Sequence, residues 1–338
     1  MDNEMITLAH GNGGQLMQKL INKMILSNFG NPILNRLDDG AVLDLKSGNN
    51  KLVFTTDSFV VDPIFFPNGD IGKLAVCGTV NDLSMMGAKP LYLSASVIIE
   101  EGFAFKDLNK IILSMKKTIS QAEVKIVCGD TKVVNKGQCD KIFINTSGIG
   151  IIEHKANISS ANAKPGDLII VSGTIGEHGV AIMSQRQGLR FKTQLKSDCA
   201  PLNGLVKAML KYSQAIHVMR DPTRGGAATA LNEIAEHSNV GIEINEENLP
   251  VSSTVRGACE ILGLDPLYLA CEGRLLAFVD KSKAYDILNL MHKQQFGKKA
   301  QIIGRVVAGH KKQVYLSTLA GSDRILDVPI ADQMPRIC

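Results

Sequence analysis

The last residue of the chain is a cysteine, Cys338, at the end of the segment PRIC. Chain termini are usually mobile unless something ties them down, so a terminal thiol is poorly suited to packing. A thiol in this place suits a swinging nucleophile or carrier, because the eight residues from Ala331 onward would reach about 26 Å when extended. The alternative is a disordered end that finishes in cysteine by chance. The choice between the two depends on the cleft that the rest of the chain builds.

Carboxylates in the first half of the sequence suggest such a cleft. They lie beside predicted strands and in one predicted helix, and the candidate metal ligands are Asp39, Asp57, Asp82 and Asp130. Asp82 is the most informative of them, because it falls on the apolar stripe of its helix together with Ala75. A buried carboxylate costs several kcal/mol unless it is paired or binds a cation. Turn and cap roles are the alternative for the others. The set predicts a Mg²⁺ site that is completed by water and substrate phosphates.

Three glycine-rich segments precede predicted helices and offer places for phosphate: residues 10–14, 172–179 and 221–226. Glycine allows close approach of the backbone, and a helix N-terminus supplies free N–H groups. No segment matches a Walker A loop or G-x-G-x-x-G, and each alone is also compatible with a simple tight turn. The nucleotide-binding candidates from these loops and from the strand ends are Gly11, Gly13, Gly14, Asp39, Thr56, Asp57, Asn81, Asp82, Gly129, Asp130, Thr131, Asp221 and Arg224.

Two further residues are candidates for acid–base chemistry. Lys132 follows Asp130 closely, so a pair at a phosphate or metal site is one interpretation and a solvated lysine is the other. Glu272 lies at a predicted bend between two apolar strands, where structural acids are also frequent.

Hydrophobic periodicity predicts how these residues are positioned. The first half reads as alternating strands and helices: strands at 51–56, 91–99, 125–128 and 142–152, and helices at 71–87 and 105–122. The second half continues with strands at 168–172, 216–219, 241–245, on both sides of Gly273, at 300–307 and at 313–318, and with helices beginning at 178, 226, 252 and 281. The fold class is therefore α+β, with helices on one face of a mixed sheet in the N-terminal domain.

Length and composition limit the remaining possibilities. A chain of 338 residues favours two domains, which we predict at 1–155 and 156–329, followed by a mobile tail at 330–338. A net charge of +4 and the absence of Trp argue against nucleic-acid binding. No apolar stretch is long enough for a membrane span, and the acidic, polar start is not a signal peptide, so we expect the cytoplasm. The first six of the seven cysteines lie in apolar surroundings and are expected to be buried.

Taken in order, the motifs resemble a known superfamily. The segments that carry the resemblance are HGNGG, RLDDGAV, TTDSFVV, CGTVNDLSMMGAKP, VCGDTKVV, PGDLIIVSGTIGEHG, MRDPTRGG and CEGRLLAF. This set resembles the aminoimidazole ribonucleotide synthetase-like superfamily, which also includes selenophosphate synthetase and thiamine monophosphate kinase. With DPTRGG, NDLSMMGA and the terminal PRIC, the chain is most similar to the carbamoyl dehydratases that mature nickel–iron hydrogenases.

The resemblance implies a specific activity. Two chains would pair their N-terminal sheets into a barrel in a homodimer and bind ATP with Mg²⁺. The carbamoyltransferase HypF would load a carbamoyl group onto the thiol of Cys338, and ATP would activate its oxygen so that elimination leaves a thiocyanate. The product would supply cyanide to the hydrogenase iron through a HypC–HypD complex. Glu272, near a cationic Lys132, would serve as the base for the two N–H protons.

Other activities remain open at this point. A selenophosphate synthetase-like enzyme resembles the chain in its aspartates, but its reactive residue lies in the N-terminal glycine-rich region, and no Cys precedes position 77 here. An aminoimidazole ribonucleotide synthetase would need no terminal thiol. A non-catalytic carrier scaffold that binds nucleotide is the alternative from another functional class.

Overall fold

The computed structural model describes residues 5–11, 13–45, 51–186, 188, 195–330, 334 and 336–338. Within these residues the chain forms two mixed sheets, each packed with helices, in an α+β fold of two domains. The five-stranded sheet ends at Ile152, and the first strand of the seven-stranded sheet begins at Leu168. The domain bounds proposed from the sequence, at about residue 155, fall between the two sheets.

The N-terminal sheet has the strand order β1-β2-β7-β5-β6. The strands of this half are β1 (Ala41–Asp44), β2 (Lys51–Phe59), the hairpin β3 (Phe65–Phe66) and β4 (Gly69–Asp70), β5 (Lys89–Glu100), β6 (Lys125–Val134) and β7 (Ile142–Ile152). Only β5 and β6 pair in parallel, so the sheet is mixed as expected. It is open within one chain, with β1 and β6 at its edges.

The helices of the first half begin with a short irregular run after the glycine-rich segment. They are α1 (Gln15–Leu20), continued by a π-helical stretch (Ile21–Leu26) and α2 (Ser27–Phe29), then α3 (Ile71–Met85) and α4 (Phe105–Ala122). The start of α3 is fixed by Asp70, whose carboxylate accepts hydrogen bonds from the backbone N–H of Gly72 and Lys73. α4 presents its apolar face to α3 and ends at Glu123, which has a left-handed backbone.

The second half builds a seven-stranded sheet of order β14-β13-β10-β12-β8-β11-β9. Its strands are β8 (Leu168–Val171), β9 (Ile216–Arg220), β10 (Gly241–Asn245), β11 (Leu276–Val279), β12 (Gln301–Val307), β13 (Gln313–Ser317) and β14 (Asp323–Ile325). Its helices are α5 (Glu177–Arg186), α6 (Asn203–Met209), α7 (Gly226–Ser238), α8 (Ser253–Leu262) and α9 (Ala284–His292). β8 and β11 are continuous apolar runs because they lie in the interior of the sheet.

One predicted strand of this half is wrong. The segment before Gly273 was expected to be a strand, but it forms a 3₁₀ turn at Pro266–Tyr268 and then an irregular buried stretch. The carboxylate of Asp265 caps that turn by accepting from Leu267 N. The apolar residues that follow pack against α5 and the turn after β9, with Cys271 N donating to Pro222 O, so they are core without being a strand.

Helix α3 lies between the two domains. It contacts β2 and β7 on one side and α6 and β9 on the other, and thirteen of its fifteen residues are buried. The sequence placed Asp82 on a single apolar stripe, whereas the structure buries α3 on nearly every side. The helix therefore brings its polar side chains to the boundary between the domains.

The described part of the C-terminal tail, residues 334 and 336–338, is packed against the protein. Backbone N–H groups of Val60 and Asp62 donate to the carbonyl oxygens of Cys338 (3.1 Å) and Arg336 (3.2 Å), so the tail runs antiparallel to the segment that follows β2. Ile337 is 2 % exposed. The structure shows the docked tail, so the expected mobility of residues 330–338 stays a prediction.

Of the first six cysteines, five are buried and one prediction is wrong: Cys128 is exposed. It lies on β6, an edge strand that is exposed along almost its whole length, so its apolar neighbours in sequence are not covered. Among the described helices, none combines the length and apolar character that a membrane crossing requires.

Candidate functional site

Three carboxylates meet at the boundary between the domains: Asp39, Asp82 and Asp221. One oxygen from each lies within 4.8 Å of the others. Asp39 comes from the turn before β1, Asp82 from α3, and Asp221 from the turn after β9. Together they form a set of hard oxygen donors, which is the chemistry that Mg²⁺ prefers. The residues present therefore fit a divalent cation.

The pKa values of these three carboxyl groups show that their charged forms are disfavoured without a cation. Burial, and then the neighbouring carboxylates, raise the pKa of Asp82 well above its ordinary value. Burial also raises the pKa of Asp39, partly offset by Arg220, and raises that of Asp221 to about 6. Relative to the ordinary value of 3.8, the shift of Asp221 corresponds to about 3 kcal/mol disfavouring the charged form. A bound cation would remove this penalty.

One cation of the chain already touches the cluster. Arg220 Nη1 lies 2.9 Å from Asp39 Oδ1, while Arg220 Nη2 lies 2.7 Å from Glu233 Oε2. The neighbouring Asp38 turns elsewhere: its carboxylate accepts from Ser159 and Ser160 and anchors the linker between the domains. Of the adjacent pair Asp38 and Asp39, only Asp39 belongs to the cluster.

Strand β2 presents Thr55, not the expected Thr56, to the cluster. The Thr55 hydroxyl lies 3.0 Å from Asp82 Oδ2 and 2.9 Å from the carbonyl oxygen of Asp39. Thr56 points to the opposite face of the sheet, where it contacts Ser147 Oγ at 2.9 Å. Because side chains alternate along a strand, Thr55 shares the face of Asp57. The period of two along TTDS was the signal that sequence reasoning did not use.

Asp57 and Arg224 connect the acidic cluster to the C-terminal tail. Burial raises the pKa of Asp57, and the nearby charge of Arg224 partly lowers it. The pKa of Arg224 is raised, first by its electrostatic interaction with the C-terminal residue Cys338 and then by Asp57, Glu272 and Asp82. The charge of Arg224 thus interacts with both the C-terminal residue and the carboxylates.

Glu272 is buried, with 3 % of its surface exposed, and among the described residues nothing hydrogen-bonds to its Oε1. Burial, and then the neighbouring acidic groups Cys199 and Asp221, raise its pKa well above the ordinary value. Its backbone N–H donates to Asp198 Oδ1 at 3.3 Å. A carboxyl with a raised pKa and a free oxygen is suited to accept a proton near neutral pH. Asp198, which helps to place it, was not identified from the sequence.

Asn81 was predicted to bind nucleotide, but its amide is used by the protein itself. Its Nδ2 donates to the carbonyl oxygens of Ala200 (3.2 Å) and Glu272 (3.4 Å), and its Oδ1 accepts from Leu202 N at 2.8 Å. Asn81 therefore ties α3 to the segments that position Glu272.

The first glycine-rich segment lies against Arg224. Gly13 has φ +83°, and a Cβ at this position would lie 2.9 Å from Arg224 Cβ, so glycine is required on both counts. Gly14 is the residue before α1. Gly11, Arg224 and Cys338 all line one cavity of about 480 Å³. Asn12 of the same motif lies outside the described residues.

Four predicted residues lie together, but away from the cluster: Gly129, Asp130, Thr131 and Lys132 on β6. Lys132 Nζ lies 2.8 Å from Asp130 Oδ2, and this contact lowers the pKa of Asp130. Both side chains are largely exposed. Gly129, Asp130 and Thr131 line a separate cavity of about 610 Å³ beside α4. Within one chain, the structure therefore does not bring Asp130 to the other predicted metal ligands or Lys132 to Glu272.

Comparisons with known proteins match almost the whole chain. Residues 37–152 match the family "AIR synthase related protein, N-terminal domain", and residues 164–317 match "AIR synthase related protein, C-terminal domain". The carbamoyl dehydratase HypE of Bradyrhizobium diazoefficiens is 48% identical, over 99% of this chain and 97% of that protein. That of Escherichia coli strain K12 is 45% identical, over 98% of this chain and 99% of that protein.

Solved structures agree with these relatives. A chain in the crystal structure of a HypE–HypF complex superposes with a TM-score of 0.87 at 52% identity, covering 92% of this chain and 99% of that chain. A HypE structure in complex with ATP gives a TM-score of 0.83 at 47% identity, covering 99% of this chain and 100% of that chain.

Proposed function

The chain belongs to the carbamoyl dehydratase HypE family of AIR synthase related proteins, and from this membership we propose that it dehydrates a carbamoyl group on its own Cys338. The product is a thiocyanate on the same sulfur, which provides the cyanide ligands of the iron in nickel–iron hydrogenase. ATP drives the reaction and leaves as ADP and phosphate, so the oxygen removed from the carbamoyl group ends in the phosphate.

One observation carries the proposal: the docked tail places Cys338 at the same cavity as Arg224, and Arg224 also interacts with Asp57, Glu272 and Asp82. A terminal thiol that only carried a group between partners would gain nothing from docking beside a guanidinium that also faces the carboxylates. In this position, the positive charge of Arg224 faces whatever negative charge develops near the sulfur. The placement therefore supports catalysis on Cys338 rather than passive transport.

Glu272 and its surroundings fit the proton transfers that dehydration requires. The nitrogen of the carbamoyl group loses both of its hydrogens, and Glu272 Oε1 is the buried acceptor without a partner among the described residues. Its raised pKa makes its carboxylate a stronger base than an ordinary glutamate, and a well-placed base is worth about 10²–10⁴-fold in rate. Asn81 and Asp198 hold the backbone on either side of it.

The cluster of Asp39, Asp82 and Asp221 is the proposed site for Mg²⁺, with Asp57 close by. Bound Mg²⁺–ATP would supply the phosphoryl group that turns the carbamoyl oxygen into a leaving group. Arg220 neutralises part of the cluster before any cation arrives, and Gly13 lets the N-terminal loop approach Arg224 closely.

We infer a homodimer from one face of the N-terminal sheet, which we call the open face. It carries exposed apolar side chains on neighbouring strands: Phe54 pairs with Ile149 and Ile149 with Tyr92, and Ile98 lies further along the strand of Tyr92. Exposed apolar surface of this kind marks an interaction site. A second copy would bury it, and the two sheets would then close around each other as a barrel.

The open face also bears Thr56, Asp130 and Lys132, because paired residues of neighbouring strands point the same way. These residues do not reach the acidic cluster of their own chain. In the proposed dimer, each chain would contribute Lys132 and Asp130 to the site of its partner.

The partner proteins we propose follow the relatives. The HypE–HypF crystal structure makes HypF the proposed carbamoyl donor for Cys338. A HypC–HypD complex is the proposed acceptor of the nitrile, and the cytoplasm, where ATP is available, is the proposed location.

Intact mass measurement tests the function directly. The chain is incubated with HypF, its carbamoyl source and Mg²⁺–ATP, and the mass of the C-terminal adduct is followed over time. A carbamoyl adduct that converts to a nitrile only when ATP is present is the expected result. ATP bound without phosphate release, with the carbamoyl adduct unchanged, would show that the chain is a carrier scaffold.

A further inference from the structure

His178 contacts the tail next to the reactive residue. It lies near the start of α5, in the glycine-rich segment 172–179 that suggested phosphate binding from the sequence. Its Nε2 is 2.8 Å from the carbonyl oxygen of Ile337, and the side chain is fully buried. Phe66 packs edge-on against its ring, with 5.3 Å between the ring centres. Within segment 172–179, His178 therefore points towards the tail.

The hydrogen bonds fix which nitrogen carries the proton. A carbonyl oxygen can only accept, so Nε2 of His178 must donate to Ile337 O. Nδ1 then accepts from the hydroxyl of Ser197 at 2.8 Å, and Ser197 Oγ in turn accepts from Cys199 N at 3.0 Å. Burial lowers the pKa of His178, which keeps the ring neutral. The result is a chain of three bonds that ends on the tail.

The hydrogen bonds of Arg336 in the tail differ from that of His178 in their contact with water. Arg336 donates from Nε to Val60 O at 2.9 Å and pairs with Asp140, and its side chain keeps contact with water. Such groups recover hydrogen bonds with water on undocking. The Nε2–H of His178 is fully buried while the tail is docked, and leaving a buried donor unpaired costs more than losing a hydrogen bond in contact with water.

We propose that His178 is a positioning residue that holds the tail in its docked state through Ile337, and so sets how long Cys338 stays in the cleft. This inference rests on the proposed function. His178 sets the balance between a docked state, in which the carbamoyl group is dehydrated, and an undocked state, in which it is loaded. His178 does not touch the reacting atoms. It acts through the backbone one residue before them.

Thiol labelling tests the docking without any chemistry on the carbamoyl group. The exposed Cys128 is replaced by Ser in every variant, and the rate of alkylation of Cys338 by N-ethylmaleimide is measured by intact mass, with Cys338→Ala to assign the adduct. His178→Ala removes the donor, and the labelling rate is expected to rise roughly five- to tenfold, the effect of one hydrogen bond.

Two amides serve as matched variants. The side-chain nitrogen of Gln falls where Nε2 of His178 lies, and that of Asn falls where Nδ1 lies. His178→Gln should therefore label at nearly the parental rate, and His178→Asn should label as fast as His178→Ala. If His178→Ala does not fold, the difference in labelling rate between His178→Gln and His178→Asn tests the proposal instead. Equal labelling of the pair, whether fast or slow, would overturn the assignment.

A second measurement separates this proposal from the proposed function. With HypF and ATP present, His178→Ala should load carbamoyl at least as fast as the parent but yield a nitrile-to-carbamoyl ratio lower by the same roughly five- to tenfold. Parental ratios in His178→Ala would contradict the role of His178. If no variant accepts a carbamoyl group at all, the proposed function fails while the labelling result still stands.

Discussion

Cys338 and Arg224 lie together at one cavity, and the charge of Cys338 is the largest influence that raises the pKa of the Arg224 guanidinium. This pairing joins the end of the chain to the turn after β9, more than a hundred residues earlier. It also places a guanidinium at the end of the chain while the tail is docked.

Replacing Cys338 by Ala should abolish nitrile formation and leave the fold and ATP binding intact. The side chain is small and partly exposed, so its loss costs little packing. Intact mass after incubation with HypF and ATP checks the first point, and calorimetric titration with ATP checks the second. Lys281→Ala, in the exposed turn before α9, is the control and should keep full activity. A cyanated product from the Cys338→Ala chain would refute the assignment.

Glu272→Gln should accept the carbamoyl group but fail to dehydrate it. The amide keeps the size of the side chain and removes the proton acceptor, so the rate should fall by about 10²–10⁴-fold. Accumulation of the carbamoyl adduct, seen by mass, is the expected sign. Glu260→Gln on the exposed surface of α8 is the matched control. Nitrile appearing at the parental rate would remove Glu272 from the mechanism.

Asp82→Asn and Asp221→Asn should each weaken Mg²⁺–ATP binding at least roughly tenfold, since each removes one charged oxygen from a hard-cation site. Both variants should also be more stable than the parent without Mg²⁺, because a mutually repelling buried charge is gone. Titration calorimetry and thermal unfolding measure the two effects. Asp286→Asn, whose carboxylate pairs with Lys283 on the surface of α9, is the control. Unchanged nucleotide affinity in both variants would return the cluster to a structural role.

The stability of the protein without Mg²⁺ should fall as the pH rises. A carboxyl with a native pKa above its unfolded value stabilises the native state below the unfolded pKa and loses this contribution as pH rises through the native value. For Asp221 the window runs from 3.8 to about 6, and the raised pKa of Asp82 acts in the same direction. Mg²⁺ should therefore raise the melting temperature strongly at about pH 7.5 and little at about pH 5. Equal stabilisation at both values would contradict the sign.

Mixed dimers can show whether Lys132 acts across the proposed interface. Lys132→Ala and Cys338→Ala chains should each be inactive alone. A mixture allowed to exchange subunits should regain nitrile formation, because the Lys132 of one chain would then serve the Cys338 of the other. A mixture of Glu260→Gln chains with Cys338→Ala chains is the control, and it gives the activity expected when one partner is unimpaired. No recovery after verified exchange would mean that Lys132 acts within its own chain or not at all.

The sequence predicted the elements better than it predicted which face each residue occupies. α3, α4, β2, β5 and β7 formed close to their expected bounds, because long periodic segments specify their own secondary structure. Asp39 and Asp82 also met as expected. Thr55 was missed in favour of Thr56, although the alternation along β2 would have distinguished them.

Other features depend on contacts that the local pattern does not contain. The stretch before Gly273 is apolar because it packs against α5, so its composition resembled a strand without the pairing partner that a strand needs. Cys128 has apolar neighbours that lie on an uncovered edge strand. His178 and Asp198 have roles only because the tail and Glu272 fold onto them from distant parts of the chain.

The burial of α3 on nearly all sides has a consequence for any attempt to divide the molecule. A fragment that ends after the first sheet would expose the surface of α3 that now meets α6 and β9, including the amide of Asn81. Such a fragment should aggregate when expressed alone. The complementary fragment would lack α3, which covers α6 and β9 in the whole protein. Neither half should fold on its own, so the two domains must be expressed as one continuous chain because α3 is buried against both of them.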